Sequence, residues 1–291
     1  DRRQRQMCIR DRLMGVGTNR INKYTIGKNT QGISNYINEN FNEPQNVVIA
    51  FDCRHNSDSL AQIVADVFSA NNIKVFLFSS LRPTPELSFA VRKLNCICGI
   101  VLTASHNPPK YNGFKVYWKD GGQIVPPIDK KLIFEIEKIN FKEINFNKKE
   151  KLIELIDKKI DDQFIDLCLK NGINSEIENR DGNKIVFTAL HGTALTIIPS
   201  LLKKAGYTNV KYVESQMISD GNFSTVISPN PEEIESLDLG LKLAIKEKAE
   251  MLIGTDPDAD RLGIAVRDMN NSLKLINGNQ LMILIIKIKL L

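Results

Sequence analysis

The chain has 291 residues, of which 42% are hydrophobic and 25% charged, and this is the composition of an ordinary globular protein with room for two domains. Its formal net charge is +5, but residues 1–12 contain five arginines and two aspartates and so supply +3 of that charge. Along the rest of the chain lysine and glutamate are mixed, without a basic stripe or interleaved aromatic residues, which argues against a nucleic-acid-binding protein.

The cysteine content and the two ends of the chain exclude further classes of protein. The five cysteines are scattered and odd in number, which argues against a disulfide framework, and no second pair accompanies Cys96 and Cys98 to form a zinc site. The charged N-terminus contains no signal-peptide core, and residues 281–291 are apolar but too short to span a membrane and include two lysines. We therefore expect a cytoplasmic protein without a membrane segment.

Predicted helices and strands alternate along the first half of the chain. Residues 1–12 have no periodicity, and we set them aside as an atypical, foreign leader. The elements that apolar spacing then predicts are a helix over 25–39, a strand over 47–52, a helix over 57–68 with Ser57 as its N-cap, a strand over 75–78, a helix over 85–93 and a buried strand over 96–102. This alternation indicates a largely parallel α/β sheet, whose loops carry Arg54, Arg82 and Ser105 to one edge.

The chain then continues to a predicted domain boundary. A short strand over 114–118 carries Lys115, and the helical spacing of residues 127–170 predicts two helices around an Asn-rich loop. A cluster of turn residues at 180–183 marks the boundary, so the first domain is predicted to span residues 13–182.

The second predicted domain, residues 183–276, repeats the alternation. Its predicted elements are a strand over 185–190, a helix that ends at Ala205, a strand over 211–214, a helix over 234–248, a buried strand over 249–255 and a closing hairpin with strands over 262–266 and 273–275. The predicted fold class is therefore two similar three-layer α/β domains with mixed, largely parallel sheets.

A serine on a stiff turn follows the strand over 96–102, in the segment Thr103–Pro109. Pro108 and Pro109 restrict the backbone after Ser105, so its hydroxyl is predicted to be held in place on an exposed turn. A polar turn at a strand end is the more common meaning of such a segment, whereas a fixed hydroxyl suits a nucleophile or a phosphate carrier.

Three carboxylates follow the strand over 249–255. Asp256, Asp258 and Asp260 occupy alternate positions of a loop that we expect to be extended, where they would face one side and repel one another unless a cation lies among them. Hard oxygen ligands favour magnesium or calcium over zinc. An EF-hand loop is excluded, because Arg261 and Arg267 stand where that loop requires Gly and Glu.

Together the two loops resemble those of the α-D-phosphohexomutases, the phosphoglucomutase and phosphomannomutase enzymes. The phosphoserine loop of that family is similar to Thr103–Pro108, and its metal loop is similar to Asp256–Arg261. The further segments that resemble the family are Arg82–Pro85, Tyr111–Tyr117, His191–Thr193 and Pro229–Glu233. The resemblance extends from about Met14 to about Gln280.

The resemblance implies an activity and its cofactors. Ser105 would carry a phosphate that Mg²⁺ bridges to Asp256, Asp258 and Asp260, and phosphate would move between the C1 and C6 hydroxyls of a hexose through a bisphosphate intermediate. Glucose 1,6-bisphosphate or a related hexose bisphosphate would be the activator. The implied partner is a small-molecule hexose phosphate, with neither a nucleic acid nor a membrane.

Roles for further side chains follow from the same resemblance. The catalytic residues that it implies are Ser105, Lys115, His106 and Arg261, with Lys115 as the general acid/base near the reacting hydroxyl. A lysine on a short strand is otherwise most often solvated, and His106 is equally well explained as a turn histidine. The candidates for phosphate binding are Arg20, Arg54, Arg82 and His191, of which His191 is expected mainly to orient the turn above the second sheet.

Two interpretations from other classes remain open. A magnesium-dependent phosphatase of the haloacid dehalogenase type would carry the phosphoryl group on Asp256 and leave Ser105 idle, and a non-catalytic sugar-phosphate-binding protein would exchange no phosphate. The family has four domains, and neither the sugar loop of the third nor the phosphate loop of the fourth is found in this sequence. We therefore expect residues 277–291 to be the truncated start of a third domain. We also expect little turnover by this chain alone, and the choice among glucose, mannose and pentose phosphates is expected to lie largely in the sugar loop.

Overall fold

The computed structural model describes residues 13–16, 20–172 and 180–290. By its internal contacts the chain divides into two compact units: the first continues to Ala104 and resumes over Pro109–Ile160, and the second comprises Ser105–Pro108 and the chain from Asp161 onward. The predicted leader over residues 1–12 lies outside the described residues. The division at Ile160 differs from the boundary predicted at residue 182, because most of the helix Lys158–Asn171 makes its contacts with the second unit, among them the ion pairs of Lys204 with Asp162 and Asp166.

The first unit contains a six-stranded mixed sheet. Its elements are β1 Leu13–Val16, α1 Lys23–Asn40, β2 Asn46–Phe51, α2 Ser57–Ala70, β3 Lys74–Phe78, α3 Thr84–Lys93, β4 Cys98–Leu102, β5 Tyr111–Trp118, α4 Ile128–Lys138 and β6 Ile153–Ile156. The strand order is β1-β5-β4-β2-β3-β6. Strands β4, β2, β3 and β6 run parallel to one another. Beyond β4 the pairings of β4 with β5 and of β5 with β1 are antiparallel.

Strand β4 is buried on both faces and shows how the layers of the first unit are built. Cys98, Ile100 and Leu102 lie in one apolar core with side chains of α1, α2 and α4. Successive residues of a strand face opposite sides, and a Cβ added to Gly99 would lie 2.6 Å from Val91 Cγ2 on α3. Helix α3 therefore covers the other face of the sheet, which confirms the predicted three-layer arrangement.

One local prediction for the first unit is incomplete and another is wrong. Residues 127–170 form the two expected helices, but the segment between them also contains β6, which pairs in parallel with β3 through Val75 and Ile153. The predicted N-cap Ser57 is instead the first residue of α2, and the capping position is Asn56, with a left-handed φ of 64°. The Ser57 hydroxyl is used elsewhere, because it donates to Asp52 Oδ1 at 2.8 Å.

The second unit contains a five-stranded mixed sheet. After α5 Lys158–Asn171, its elements are β7 Ile185–Thr188, α6 Ile198–Lys204, β8 Val210–Tyr212, α7 Asp238–Glu247, β9 Met251–Thr255, β10 Leu262–Arg267, β11 Leu273–Ile276 and α8 Gly278–Leu290. The strand order is β11-β10-β9-β7-β8, in which β9, β7 and β8 are parallel and the β10–β11 hairpin is antiparallel, as predicted. Helices α6 and α7 are both preceded by one turn of 3₁₀-helix.

The second sheet is also covered on both faces. Val186 and Leu252 share a core with Leu237 and Ala244, the latter on α7. The neighbouring strand residue Phe187 faces the opposite side, where it lies in a second core with partly buried Ile198 of α6. Both units are thus three-layer α/β structures with mixed sheets, which confirms the predicted fold class. Among the described residues, no helix combines the length and the apolar character needed to cross a membrane.

Candidate active site

Ser105 lies just beyond the end of β4, in a strained and buried position. Its φ of 52° places a non-glycine residue in the left-handed region, which costs on the order of 1–3 kcal/mol and is typical of functional sites. Ser105 is only 2% exposed, so the expected exposed turn is wrong. Its hydroxyl donates to Asp256 Oδ2 at 2.7 Å, and its oxygen lies 3.3 Å from His106 Nδ1.

The three aspartates do converge, although their loop is a tight turn and not an extended segment. The loop joins the antiparallel strands β9 and β10, and it reverses at Ala259, whose φ is 54° and whose N–H donates to Asp256 O at 3.0 Å. One carboxylate oxygen from each of Asp256, Asp258 and Asp260 lies within 4.8 Å of the other two. Asp256 and Asp258 are buried, and Asp260 is exposed.

Asp256 lies in a buried and strongly charged environment. Burial raises its pKa well above the ordinary value of 3.8, and the neighbouring Asp258 and Asp260 raise it further, whereas the hydrogen bond from Ser105 opposes the shift. Its second oxygen, Oδ1, accepts the Arg261 N–H at 3.0 Å. Three carboxylates held this close are stabilised by a cation, and an all-oxygen donor set fits a hard divalent ion such as Mg²⁺.

A buried polar cluster in the first unit contacts the chain on both sides of the serine loop, the segment Thr103–Pro109 between β4 and β5. Asp52 accepts the Arg54 N–H at 3.0 Å, lies 3.3 Å from Arg54 Nε with both side chains fully buried, and also accepts a hydrogen bond from the Thr103 side chain. Burial raises the pKa of Asp52, and the Arg54 charge is the largest opposing effect. Arg54 in turn donates to Tyr111 O at 2.9 Å. The same pair therefore contacts the chain on both sides of the loop.

Lys115 occupies the neighbouring strand β5 opposite Val101 of β4. Phe114 and Val116 face the core under α1 and α2, so Lys115 faces the α3 side of the sheet. It is only 4% exposed, and the interpretation as a solvated lysine is therefore wrong. The structure thus places a buried lysine on the strand next to β4, opposite the next-to-last residue of β4.

The arginine candidates differ in what they contact. Arg82 is buried, and its Nη1 donates to Ser80 Oγ at 2.6 Å and to Leu81 O at 2.9 Å. Arg20 is exposed and packs along Gly15 of β1, where an added Cβ would lie 2.4 Å from the arginine Cβ. Arg261 is half-buried at the end of the aspartate loop.

His191 is buried in the second unit, and both of its ring nitrogens have partners there. Nδ1 lies 2.9 Å from Ile218 O, and Nε2 lies 2.8 Å from Thr225 Oγ1. Sequence reasoning named His191 but missed Thr225, Gln216 and Thr188, which form one hydrogen-bonded chain with it. These residues carry no local motif, since the partners are 9 to 34 positions apart in the sequence.

The candidate residues divide between the two units. Ser105, His106, the three aspartates, Arg261 and His191 belong to the second unit, whereas Arg20, Arg54, Arg82 and Lys115 belong to the first. The structure therefore brings together the hydroxyl, a histidine and the carboxylate triplet within one contact unit, and this set can hold a divalent cation beside a serine oxygen.

Comparison with known families gives matches over most of the chain. The model of phosphoglucomutase/phosphomannomutase, alpha/beta/alpha domain I, matches residues 10–143, and that of domain II matches residues 162–270. Curated phosphoglucomutases of Staphylococcus aureus are similar in sequence. The one from strain MRSA252 is 41% identical over 277 residues, covering 92% of this chain and 48% of its own length, and the one from strain COL is 40% identical with the same coverage. The chain thus spans about half the length of the curated relatives it matches.

Solved structures show the same fold. A phosphoglucomutase/phosphomannomutase family protein from Burkholderia thailandensis superposes with a TM-score of 0.77 at 23% identity, covering 96% of this chain and 58% of that one. The open form of parafusin, a phosphoglucomutase from Paramecium, superposes with a TM-score of 0.64 at 22% identity, covering 88% of this chain and 55% of that one.

Proposed function

The chain belongs to the phosphoglucomutase/phosphomannomutase family, and from this premise we propose that it supplies the phosphate-carrying serine and the metal loop of a phosphohexomutase. In this proposal Ser105 carries the phosphate that is exchanged with the C1 and C6 hydroxyls of a hexose through a bisphosphate intermediate. The observation that carries the proposal is the 2.7 Å hydrogen bond from the Ser105 hydroxyl to Asp256, because the proposed nucleophile and the carboxylate triplet are then in direct contact.

The side chains have distinct roles in the proposed transfer. Asp256 accepts the hydrogen bond that the Ser105 hydroxyl donates. The O–H bond therefore points toward Asp256, and a lone pair of the serine oxygen points outward for attack on a phosphorus atom. His106, whose Nδ1 lies 3.3 Å from the same oxygen, can bind the phosphoryl group or take up a proton. Lys115 is the candidate general acid/base for the sugar hydroxyl, by its resemblance to the lysine of the family and its buried position on β5 beside β4.

Mg²⁺ is the proposed cation, and Asp256, Asp258 and Asp260 are its proposed ligands. When bound, the ion would neutralise the carboxylates and the phosphoryl oxygens next to them. Glucose 1,6-bisphosphate or a related hexose bisphosphate is the proposed phosphate donor, a hexose phosphate is the proposed substrate, and the cytoplasm is the proposed location.

The arginine roles are revised within this proposal. Arg20 and Arg82 remain candidates for phosphate binding together with Arg261. Arg54 is better explained as a support for the serine loop, because its guanidinium group is fully buried beside Asp52 and donates to Tyr111 O. A buried ion pair of this kind costs about 3–5 kcal/mol to break from one side, which suits a structural role.

The test is to locate the phosphate by peptide mass spectrometry after incubation of the purified chain with glucose 1,6-bisphosphate and Mg²⁺. We expect phosphate on Ser105, none on Ser105→Ala, and unchanged labelling of Ser59→Ala, which alters an exposed serine on α2. Asp258→Asn is expected to reduce the labelling strongly. Phosphate on Asp256, recognised as an acyl phosphate cleaved by hydroxylamine, would favour the phosphatase interpretation. Sugar-phosphate binding without any labelling would favour the non-catalytic one.

A further inference from the structure

We propose that His191 is a positioning residue for the metal loop, defined as residues 256–261, and that it acts through the turn over residues 189–193. In this arrangement His191 holds the turn in a strained conformation, and the turn holds Pro257 in place between two of the candidate ligands. The inference rests on the proposed metal-binding function of the loop, and it assigns His191 a role other than phosphate binding.

The turn and the metal loop are in direct backbone contact. Gly192 lies so close to the loop that an added Cβ would be 2.4 Å from Pro257 Cα and 2.6 Å from Pro257 O. The next residue, Thr193, donates its backbone N–H to Pro257 O at 2.8 Å. Because Pro257 stands between Asp256 and Asp258, a shift of the turn moves the peptide that connects these two carboxylates.

The turn does not hold this shape by local preference. Leu190 and His191 are consecutive non-glycine residues with φ values of 44° and 67°. Each residue in the left-handed region costs on the order of 1–3 kcal/mol, and such conformations persist only where the surroundings enforce them. The local hydrogen bond from Gly192 N–H to Ala189 O, at 2.8 Å, closes the turn but does not anchor it to the rest of the unit.

His191 supplies the anchor through three hydrogen bonds. Its backbone N–H donates to Gln216 O at 2.9 Å, and its ring contacts Ile218 O at 2.9 Å and Thr225 Oγ1 at 2.8 Å. A carbonyl oxygen can only accept, so Nδ1 carries the proton that is shared with Ile218 O. In the neutral ring Nε2 then accepts from the Thr225 hydroxyl.

A directed chain of hydrogen bonds continues from the ring to the sheet. The Thr225 oxygen accepts from Gln216 Nε2 at 3.0 Å, and Gln216 Oε1 accepts from the Thr188 hydroxyl at 2.6 Å. Thr188 is the last residue of β7, and its oxygen also accepts the Leu190 N–H at 3.1 Å. Each hydrogen bond of this chain joins a donor to an acceptor, and the chain ties the turn to the end of β7 at both of its strained residues, Leu190 and His191.

The experiment measures Mg²⁺ binding to the full chain by isothermal titration calorimetry, with the metal alone as the ligand. We expect His191→Ala to raise the Kd for Mg²⁺ by about 10–100-fold, the range found when residues that orient metal ligands are removed. His191→Asn is expected to stay within a few fold of the wild type, because Asn retains a donor near the Nδ1 position and tolerates a left-handed φ. His55→Gln, at an exposed histidine of the first unit, is the matched control with an unchanged Kd.

A second variant tests the contact itself. Gly192 has a φ of −90°, which alanine adopts without strain, so Gly192→Ala changes only the space between the turn and Pro257. Its Kd for Mg²⁺ is expected to rise as that of His191→Ala does. If His191→Ala fails to fold, Thr225→Val decides in its place. It removes the hydroxyl that contacts both His191 Nε2 and Gln216 Nε2, and a raised Kd supports the proposal.

The outcomes separate this proposal from the proposed function. Wild-type Kd values in folded His191→Ala or, failing that variant, in Thr225→Val would overturn the positioning role while leaving the metal site intact. A wild-type chain that binds no Mg²⁺ at millimolar concentration would overturn the metal assignment in the proposed function, and the role of His191 with it.

Discussion

Neutralising one buried carboxylate of the metal loop should stabilise the metal-free protein and abolish its response to Mg²⁺. The change is Asp258→Asn, which keeps the shape of a side chain that is fully buried and removes one of three converging charges. Two opposite effects from one substitution are expected because the carboxylates repel each other without a cation and are needed as ligands with one.

The magnitude follows from the geometry of the triplet. Two unit charges 4.8 Å apart, the largest separation of the three ligand oxygens, repel by about 3.5 kcal/mol at an effective dielectric constant of about 20. In the wild type, proton uptake by Asp256 limits this repulsion energy, because the pKa of Asp256 is raised by burial and by its two neighbours. A gain of about 1–2 kcal/mol is therefore expected, which is roughly 3–6 °C in Tm for a protein of this size.

The pH dependence of this gain has a definite sign. Between the ordinary pKa of 3.8 and its raised value, Asp256 holds more proton in the folded than in the unfolded state. Its contribution to stability is therefore lost as pH rises through that window. The advantage of Asp258→Asn over the wild type in EDTA should be larger at pH 7.5 than at pH 5, because at pH 5 Asp256 is more often neutral and the repulsion is weaker.

The assay is thermal unfolding followed by circular dichroism, in EDTA and in excess Mg²⁺. Fluorescence of Trp118, the single tryptophan of the chain, reports the first unit separately. Asp260→Asn, at the exposed ligand, should give a smaller gain in EDTA. Asp268→Asn is the control of opposite sign, because Asp268 is paired with Lys274 at 2.8 Å and its pKa is lowered. If Asp258→Asn lowers the Tm in EDTA as Asp268→Asn does, and Mg²⁺ still stabilises it fully, then the triplet is neither strained by repulsion nor a cation site.

Two further predictions concern stability alone. Gly99→Ala should destabilise the first unit by about 1–3 kcal/mol, because its Cβ would lie 2.6 Å from Val91 Cγ2. The control Gly122→Ala, whose nearest neighbour atom is 3.4 Å away, should change the urea midpoint little, and equal effects of the two variants would contradict the packing argument. The pKa of Asp220 is lowered to about 2, first of all by the hydrogen bond from the Ser224 hydroxyl. Asp220→Asn should therefore lower the Tm at pH 7, and this loss should shrink as pH falls from about 4 to 2; a loss that is independent of pH would point to a purely steric cause.

The strands that consist of continuous buried apolar residues could be predicted from the sequence. A strand with exposed central residues could not, because it lacks the apolar pattern on which the prediction depends. Strand β4 is buried throughout and stood out as an uninterrupted apolar segment. Strand β6 was missed because its two central residues, Glu154 and Leu155, are exposed at the sheet edge, so the segment has neither a buried run nor strict alternation. The N-cap of α2 was misplaced because Asn56 adopts a left-handed φ that sequence preferences only weakly indicate.

The candidate site, too, could be predicted from the sequence only in part. The aspartate triplet was predictable because three like charges at alternate positions are a local pattern. In the structure, one carboxylate oxygen of each aspartate lies within 4.8 Å of the other two. The turn at Ala259 could not be predicted, since alanine rarely has a positive φ. Burial of Ser105 and Lys115 depends on chain segments remote in sequence, and so does the hydrogen-bonded chain that reaches His191.

The hydrogen bond between Ser105 and Asp256 has a thermodynamic consequence. Phosphorylation of Ser105 would replace a hydroxyl donor with acceptor oxygens of negative charge, next to a triplet that is already acidic. The phosphorylated protein would therefore bind a divalent cation more tightly than the unmodified one. By reciprocity, the cation must then favour the phosphorylated state by the same factor. The charge state of one serine and the occupancy of the neighbouring loop would behave as a single coupled equilibrium, in which changing the free Mg²⁺ concentration shifts how much phosphate the protein retains.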